Sequence, residues 1–426
     1  MKALLLRIKN VANDRVTRVL FYDQTLKKGY ASLASFSNLF VLRRILVTLV
    51  AYPLSLMCWV FLAVLNHFKP VRIYRFERPQ RPGFASVYIE QLEPLCRELQ
   101  DSGNKGILIF IDASETTNLE LLKLYASHFN LYLDDRSKFA RTIFSLIPKI
   151  GFTNSFVKHS HYNLNWEFLP ARNLKTSETT EVPDALRELD LKPMNYVLIS
   201  YPSSSYYKEK LPGNHINLDR FIDPTNYVDA LRLLTEQGLK IIRVGVDTED
   251  LPRSLKDAHV YDLSGELRTD KQDLWLFEYC FFNWSMGAIG TWHFAHKFNR
   301  PSLVTDSYAH FQGYQCSLFT RKMVFDKETS RYLNFKEMRK LKSVLGKVQE
   351  MKSQQLAYIQ NTPKQLCDAV EEILLFANGH ELGSVQNTEL LEKYDRIIVN
   401  SGFPIRKKLH SRPTISFLRD NQELLE

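Results

Sequence analysis

The stretch 193–310 constrains the fold more than any other part of the chain. Within it, short apolar runs rich in β-branched residues are bounded by turn residues, which is typical of buried strands. The strands expected there are 196–200, 241–246, 260–263 and 301–306. Strands that alternate with helical patterns indicate βαβ units, and therefore a parallel sheet covered by helices on both faces. Ligands of such sheets bind beyond the carboxyl ends of the strands, so we look for function at the turns after Ser200, Gly245, Ser264 and Asn283.

The helix expected between the first two strands has local start and stop signals. Asp223 can cap it, Pro224 suits its first turn, and Gly238 can end it. Its apolar residues recur at helical spacing: Tyr227, Ala230, Leu231, Leu234 and Leu239.

A second, weaker βα series precedes this stretch. Its strands are expected at 71–76, 106–111 and 131–133. Thr117 or Asn118 can cap the helix that follows the second strand, and the polar segment 174–182 is expected to link the two series. After His310 the pattern turns helical, with helices expected at 336–349 and 364–376, and a short strand is expected at 396–399.

Charge and cysteine usage narrow the possible partners. A formal net charge of +9 over 426 residues favours anionic partners such as nucleotides, phosphorylated sugars, lipid head groups or nucleic acid. The charge is spread along the chain without a recognised nucleic-acid-binding motif, so we expect no nucleic acid. The five cysteines include no CxxC pair, which argues against a zinc site or a disulfide framework and favours a reducing compartment.

The segment 45–68 contains no Asp, Glu, Lys or Arg, and its length permits a membrane span. Pro53 lies near its middle and would kink or break a helix. Basic residues flank it on both sides, among them Arg43, Arg44 and Lys69, and suit a segment that lies on an anionic leaflet. We expect this segment to associate with the membrane; a buried pair of core helices around Pro53 is the alternative.

The segment 284–291 is expected to form a turn between a strand through Phe282 and a helix that starts near Trp292. Its small residues let the backbone approach a ligand closely, and free N–H groups at Gly290, Thr291 and Trp292 would point at an anion. The segment matches neither the dinucleotide-binding glycine motif nor the P-loop. A plain strand–helix turn that needs small residues for packing explains it equally well.

Two arginines point to the same end of the sheet. Arg243 lies inside a predicted strand, where a buried arginine needs a partner. A diphosphate is one such partner, and Asp247 or Asp262 is the alternative. Arg220 stands just before the helix that begins at Pro224, where a ligand or solvent could face it.

Hydroxyl and aromatic groups complete the candidate site. The hydroxyls of 203–206 (SSSY) can reach a phosphate or a sugar, although a solvated turn explains them equally well. Trp284 and Trp292 could stack on a base or a sugar ring, or pack in the core. The residues expected to bind the ligand are therefore Ser203, Ser205, Tyr206, Arg220, Arg243, Gly245, Trp284, Ser285, Gly287, Gly290, Thr291 and Trp292.

Several stretches of the chain carry a resemblance to a known family. They are NYVDALRLLTEQGLKIIRVG at 226–245, an apolar CFF segment followed by a serine at 280–285, GTWHFAHKFNRP at 290–301, and the C-terminal SFLRDNQELL. Together they resemble bacterial glycosyltransferases that accompany surface-polysaccharide genes. The resemblance covers the chain from Val71 onward, and the matching positions are Arg220, Arg243, Gly245, Ser285, Gly290 and Pro301.

The resemblance implies a fold and a division of labour. Such transferases are similar to the GT-B type, an α/β fold in which two Rossmann-like βαβ domains face a cleft; here an N-terminal hydrophobic membrane-associating helix would precede them. The implied domains are a basic and hydrophobic membrane-associating segment at 1–70, an N-terminal Rossmann-like acceptor domain at 71–185, a C-terminal Rossmann-like nucleotide-sugar domain at 193–345, and C-terminal helices with a tail that packs back on the domains at 346–426.

One departure from the family concerns catalysis. Members often carry Gly-His after the first strand of the N-terminal domain, where this chain has Gly83 and Phe84. A histidine there would be a natural general base, so its replacement leaves the base open. The substitutes are Glu90, Asp112, Asp134, His159 and His161, of which we take Asp112, Glu90 and His161 as the catalytic candidates. The two histidines are also explained as solvated loop residues.

The implied activity is transfer of a sugar from a nucleotide-sugar donor to a glycan or lipid-linked acceptor in surface-polysaccharide biosynthesis. The enzyme would work on an anionic membrane surface, at the cytoplasmic face of the inner membrane. Arg243, Arg220 and backbone amides at 290–291 would neutralise the leaving diphosphate, so no metal or other cofactor is expected. The alternative is a catalytically inactive, membrane-associated scaffold that binds a nucleotide or a partner.

Overall fold

The computed structural model describes residues 72–75, 107–112, 131–134, 182–201, 222–245, 250–264, 268–287, 291–307, 317–341, 348–380, 385–400 and 412–426, with single positions within 53–60 and 118–121. The chain divides into two compact units, one formed by 1–80 and 88–164, the other by 81–87 and 165–426. Each unit is described by itself, and the domain boundaries implied by the resemblance stay predictions.

The first unit contains a small parallel sheet. Its strands are β1 (Arg72–Arg75), β2 (Ile107–Asp112) and β3 (Leu131–Asp134), in the spatial order β1-β2-β3. All three strands were predicted from their apolar runs, and each is confirmed within one residue or two. Of the two predicted caps, Thr117 lies outside the described residues. Asn118 is buried, and its Oδ1 accepts from the Leu121 N–H at 2.8 Å.

Most of the apolar segment 45–68 lies outside the described residues. Pro53, Leu54, Leu56, Met57 and Val60 are helical, and the last three are exposed. In the part of the chain that the structure describes, no helix combines the length and apolarity needed to cross a bilayer. Membrane association stays a prediction.

The second unit contains ten strands among its described residues. They are β4 (Tyr196–Ser200), β5 (Lys240–Arg243), β6 (Val260–Asp262), β7 (Phe282–Met286), β8 (Ser302–Ser307), β9 (Ser317–Arg321), β10 (Met323–Asp326), β11 (Arg331–Tyr332), β12 (Leu356–Ile359) and β13 (Arg412–Pro413). Seven of them form one sheet in the order β13-β9-β8-β7-β4-β5-β6, and every neighbouring pair in it is parallel. The other three form a small antiparallel sheet in the order β11-β10-β12.

Helices connect these strands. They are α1 (Asp184–Arg187), α2 (Val228–Glu236), α3 (Arg253–Asp257), α4 (Asp270–Tyr279), α5 (Trp292–Lys297), α6 (Phe335–Lys340), α7 (Val348–Ser353), α8 (Pro363–Ala377), α9 (Val385–Asn400) and α10 (Ile415–Asp420). A 3-10 turn at Pro224–Tyr227 precedes α2, and a second one at Gln422–Leu425 follows α10. The sequence-based expectation of an α/β protein built on parallel strands is confirmed.

The helix signals after β4 act as predicted. Asp223 accepts from the Thr225 N–H at 2.9 Å and starts the 3-10 turn that leads into α2. Ala230, Leu231 and Leu234 are fully buried. Gly238 adopts a φ of +77°, a left-handed conformation that costs glycine little, and the chain leaves the helix there for β5.

The two faces of the seven-stranded sheet are packed differently. On one face, Val197, Ile199, Trp284 and Leu303 form a core with residues of α2 and α8. Because side chains alternate along a strand, Ser200, Asn283 and Ser285 project to the other face, where α5 packs against β7 and β8.

The region after residue 310 agrees with the sequence-based prediction only in part. The helix predicted at 364–376 is confirmed as α8, and α6 and α7 lie at the two ends of the one predicted at 336–349. Strands β9 to β12 lie within 317–359 and were not predicted, because these short strands gave only a weak alternating pattern. The strand predicted at 396–399 is wrong, because these residues end helix α9, whose buried Tyr394 and Ile397 are three positions apart on one helix face.

Candidate functional site

The strand order of the large sheet defines a place where ligands bind. Counted from β4, the strands β6-β5-β4-β7-β8-β9 follow the order 3-2-1-4-5-6 of a doubly wound α/β sheet. In this order the direction of winding reverses between β4 and β7. Sheets of this kind bind their ligands beyond the carboxyl ends of the two strands that flank the reversal. Ser200 and Ser285 are register partners at that junction, which we call the β4–β7 junction.

Three hydroxyl groups meet at the β4–β7 junction. The Thr291 hydroxyl is hydrogen-bonded to that of Ser200, and its Oγ1 lies 3.0 Å from the Oγ of Ser285. Ser200 and Ser285 have no exposed surface, and Thr291 is 9% exposed. We call these three residues the hydroxyl cluster. Asn283, two residues before Ser285 on the same face of β7, donates from Nδ2 to the Ser285 Oγ at 3.2 Å.

Arg243 lies at the end of β5, the strand next to β4. Its guanidinium donates to Asp262 Oδ2 at 2.8 Å, and its Cζ lies 4.7 Å from the centre of the Tyr201 ring. Asp262 also accepts from the N–H and the hydroxyl of Ser264 through its other oxygen, at 2.9 and 2.7 Å. The pairing with Asp262 is thus realised, while a contact with a diphosphate stays a prediction.

Trp284 is a core residue, which corrects its assignment to the ligand site. It has no exposed surface and packs against Tyr227, with 5.4 Å between the ring centres. Its Nε1 donates to Thr305 Oγ1 at 2.9 Å, so its one polar group is satisfied inside the protein. The side chain lies on the face opposite Ser285 and therefore cannot stack on a ligand at the β4–β7 junction.

The segment 284–291 also differs from the prediction that it is all turn. Strand β7 continues through Met286. Its side chains alternate between the apolar core and the polar face, and every residue from 282 to 286 is buried. Gly287 follows with a φ of +77°, and its N–H donates to the Thr305 carbonyl at 2.9 Å. Helix α5 is only six residues long, and Thr291 makes no capping bond at its start.

Several predicted site residues lie outside the described part of the chain. They are Glu90, His161, Ser203, Ser205, Tyr206, Arg220 and Gly290. Trp292 is the first residue of α5, and Gly245 follows β5 with a φ of +139°. The roles assigned to all of these residues stay predictions.

Of the catalytic candidates, the structure places Asp112 at the carboxyl end of β2. There it is the register partner of Asp134, another candidate base, at the end of β3. Two carboxylate-bearing positions thus share the carboxyl edge of the first sheet, where ligands of parallel sheets bind.

A buried polar network that the sequence did not predict lies at the end of β8. Tyr227 donates to Asp306 Oδ2 at 2.5 Å, and the Asn361 N–H donates to Asp306 Oδ1 at 2.7 Å. Tyr227 and Asp306 have no exposed surface, and Asn361 is 1% exposed. Burial raises the pKa of the Asp306 carboxyl, and burial together with Asp306 raises the pKa of Tyr227 well above its usual range. Asp306 has a φ of +49°, a strained value for a residue with a side chain.

Two further observations concern ionisable groups. Lys297 in α5 is fully buried, and burial lowers the pKa of its ammonium group well below the ordinary value.

Within the described residues, no group of three or more His, Cys, Asp or Glu side chains is placed to hold a metal ion.

Comparison with known proteins finds similar solved structures only. No family model and no curated protein matches the chain. The chain is similar to the ADP-heptose lipopolysaccharide heptosyltransferase II of E. coli, at 12% identity and a TM-score of 0.34 over 76% of this chain and 95% of that one. It is also similar to the iron-containing dodecameric glycosyltransferase TibC of enterotoxigenic E. coli, at 10% identity and a TM-score of 0.33 over 59% of this chain and 63% of that one. A third is the spinosyn rhamnosyltransferase SpnG, at 11% identity and a TM-score of 0.25 over 81% and 80%. With TM-scores below 0.5, the function has to be argued from the residues of this chain.

Proposed function

We propose that the chain is a glycosyltransferase of the GT-B type that binds a nucleotide-sugar donor at the β4–β7 junction. The observation that carries this proposal is the hydroxyl cluster at the point where a 3-2-1-4-5-6 sheet reverses its winding. Doubly wound sheets bind nucleotides in the crevice at that point. The sequence resemblance of 196–306 to glycosyltransferases of surface-polysaccharide genes supports the same reading.

The second unit would hold the donor and stabilise its leaving group. Departure of the nucleoside diphosphate from the sugar leaves negative charge on its phosphate oxygens, and positive groups or hydrogen-bond donors held in place lower the barrier. Arg243 ends β5, one strand away from the β4–β7 junction. Its register partner Ile199 belongs to the core face, so its guanidinium would meet a diphosphate beyond the carboxyl edge of the sheet and not on the face of the hydroxyl cluster. Its ion pair with Asp262 holds the guanidinium at the edge of the sheet. The carboxylate of Asp262 also neutralises part of the positive charge of Arg243.

The first unit would supply the general base that takes the proton from the acceptor hydroxyl. Asp112 and Asp134, at the ends of β2 and β3, are the described positions that support this role. We propose a glycan or lipid-linked acceptor at the cytoplasmic face of the inner membrane. The net charge of +9 and the apolar segment 45–68 support such a location.

A metal-independent reaction belongs to the same proposal. Its support is the presence of Arg243 at the carboxyl edge and of a hydroxyl donor at the junction, which can offset phosphate charge without a cation.

An inactive nucleotide-binding scaffold is the second candidate. Two observations favour it: Phe84 stands where the related transferases have histidine, and Asp262 already neutralises Arg243. A scaffold would bind the nucleotide without transferring or hydrolysing its sugar.

The test is a thermal-shift panel on the full-length protein with UDP, GDP, CMP, ADP and dTDP, repeated with Arg243→Ala. A ligand that binds the native state raises the unfolding midpoint by mass action. We expect one nucleotide to raise the midpoint and the variant to show a smaller shift relative to its own ligand-free midpoint. Release of free nucleotide from the matching nucleotide-sugar then separates the enzyme from the scaffold. If none of the five raises the midpoint of the folded protein, the proposed function is wrong.

A further inference from the structure

We propose that Thr291 contacts the donor directly, by donating a hydrogen bond from its hydroxyl to an anionic oxygen of the diphosphate. This inference rests on the proposed function and names one contact within it. It comes from the number of hydroxyl hydrogens in the hydroxyl cluster, their possible directions and the burial of each oxygen.

The cluster has more hydroxyl hydrogens than internal bonds. Ser200, Ser285 and Thr291 carry one hydroxyl hydrogen each, whereas only two bonds link them, Ser200 to Thr291 and Ser285 to Thr291. The only other bond to these three hydroxyls among the described residues comes from Asn283, which donates to Ser285 and uses none of the three hydrogens. One hydroxyl hydrogen therefore has no acceptor within the described part of the chain.

Burial decides which hydroxyl carries this hydrogen. If Thr291 donates to Ser200, the hydrogen of Ser200 itself has no acceptor; if Thr291 donates to Ser285, the same holds for the hydrogen of Ser285. Both serines are fully buried. A buried donor without an acceptor is unfavourable. If both serines donate to Thr291, the spare hydrogen belongs to Thr291, the one member of the cluster with exposed surface.

The orientation of the Asn283 amide agrees with this count. In the structure its Nδ2 donates to Ser285 and its Oδ1 is a buried acceptor without a partner. Turning the amide over would give Ser285 an acceptor, but it would leave both N–H donors of a fully buried NH₂ group without a bond. Unpaired buried donors are rarer in proteins than under-used buried acceptor oxygens, so the orientation that leaves one spare hydroxyl hydrogen is favoured.

The result is a hydroxyl with a fixed direction and a fixed role. Its oxygen accepts from Ser200 and Ser285, so both lone pairs are used, and the group can only donate to a ligand. A donor held in this way selects an acceptor oxygen, and charged phosphate oxygens make the strongest such bonds. The sugar hydroxyls and base edges of a nucleotide offer only neutral acceptors at this position.

The experiment compares Thr291→Val, which removes the hydroxyl at nearly constant shape, with Thr291→Ser, which keeps it. Full-length proteins are titrated by calorimetry with the five nucleotides of the panel, with their nucleosides and with inorganic pyrophosphate. We expect Thr291→Val to weaken the binding of the preferred nucleotide by about 10-fold or more, the usual effect of losing a bond to a charged group. Nucleoside binding should stay unchanged, and Thr291→Ser should bind the nucleotide within about 3-fold of the native protein, because its donor is kept.

Three results would contradict the inference, and they are distinguishable. If the native protein binds a nucleotide and Thr291→Val binds it equally well, the Thr291 contact is wrong and the proposed function stands. If Thr291→Val weakens nucleoside and nucleotide alike, Thr291 supports the shape of the site without contacting the phosphates. If the native protein binds neither nucleotides nor pyrophosphate, both proposals fail. Should Thr291→Val not fold, Thr291→Cys, whose thiol is a weak donor, is expected to show the same selective loss and decides the matter.

Discussion

The two faces of strand β7 differ in what their side chains do. Trp284 points into the core, where it packs on Tyr227 and bonds to Thr305. Ser285, its neighbour in sequence, points to the other face and joins the hydroxyl cluster at the β4–β7 junction. One strand therefore contributes core packing on one face and the candidate binding chemistry on the other. A substitution on the core face should change stability alone, whereas one on the polar face should also change binding.

The largest effect is expected from Trp284→Ala. Loss of a fully buried indole and of its bond to Thr305 should lower the free energy of unfolding by about 3–5 kcal/mol. Chemical denaturation of the full-length variant measures this, with Trp284→Phe as the control that keeps an aromatic ring in the core. Where the variant folds, its nucleotide affinity should equal that of the native protein; a selective loss of nucleotide binding would contradict the division between the faces.

A smaller loss is expected from Tyr227→Phe on the core face. The ring and its packing remain, but Asp306 loses the hydroxyl donor at 2.5 Å inside a fully buried site. Leaving a buried carboxyl short of a donor should cost about 1–3 kcal/mol in the free energy of unfolding. The exposed Tyr261→Phe is the matched control and should change the free energy of unfolding by less than about 0.5 kcal/mol. Equal effects at the two tyrosines would show that the network adds no stability.

The pH dependence of stability should report on Asp306. Burial raises the pKa of its carboxyl in the folded protein above the value of about 4 in the unfolded chain, so the folded state holds the proton more tightly. The stability that Asp306 contributes is therefore fully present below pH 4 and is lost as the pH rises through the folded pKa, by at most about 1.4 kcal/mol per pH unit. The free energy of unfolding of the native protein minus that of Asp306→Asn should fall as the pH rises above about 4. A difference that rises with pH would contradict the direction of this pKa shift.

On the polar face, Ser285→Ala should move stability and binding together. It leaves the buried Asn283 Nδ2 without its acceptor and removes one of the two donors to Thr291, so we expect a loss of about 1 kcal/mol in the free energy of unfolding. Unlike Trp284→Ala, it should also weaken nucleotide binding, because Thr291 is no longer held from both sides. Unchanged affinity in a folded Ser285→Ala variant would separate the hydroxyl cluster from the binding site.

The smallest expected effect is that of metal removal. Sugar transfer or nucleotide-sugar hydrolysis by the purified protein should be the same before and after treatment with EDTA, because in the proposed reaction Arg243 and the Thr291 hydroxyl would offset the phosphate charge. Activity that is lost with EDTA and restored by a divalent cation would show that a metal takes this role.

Local signals account for what the sequence predicted well. The strand 196–200 and the capped helix after Asp223 each depend on residues close in sequence, and both are confirmed in place. The strand predicted at 396–399 fails because RIIV suits a strand or one face of a helix, and packing of Tyr394 and Ile397 decides for the helix.

The candidate site was predictable only in part. Ser285 and Thr291 were named from sequence, but as part of a turn with free N–H groups. The bond between Thr291 and Ser200 joins residues 91 positions apart, which no local pattern encodes. Asp306 ended a predicted strand, yet its strained backbone and its partners Tyr227 and Asn361 come from tertiary packing alone.

The central claim is that a nucleotide binds at the β4–β7 junction, and amide hydrogen exchange tests it most directly. The full-length protein is compared with and without the nucleotide that gives the largest thermal shift, and exchange is followed peptide by peptide. We predict slower exchange in peptides that cover the ends of β4 and β7 and residues 287–291, with no change in α8 or β12. Protection confined to other parts of the chain, or none at a saturating nucleotide concentration, would contradict the claim.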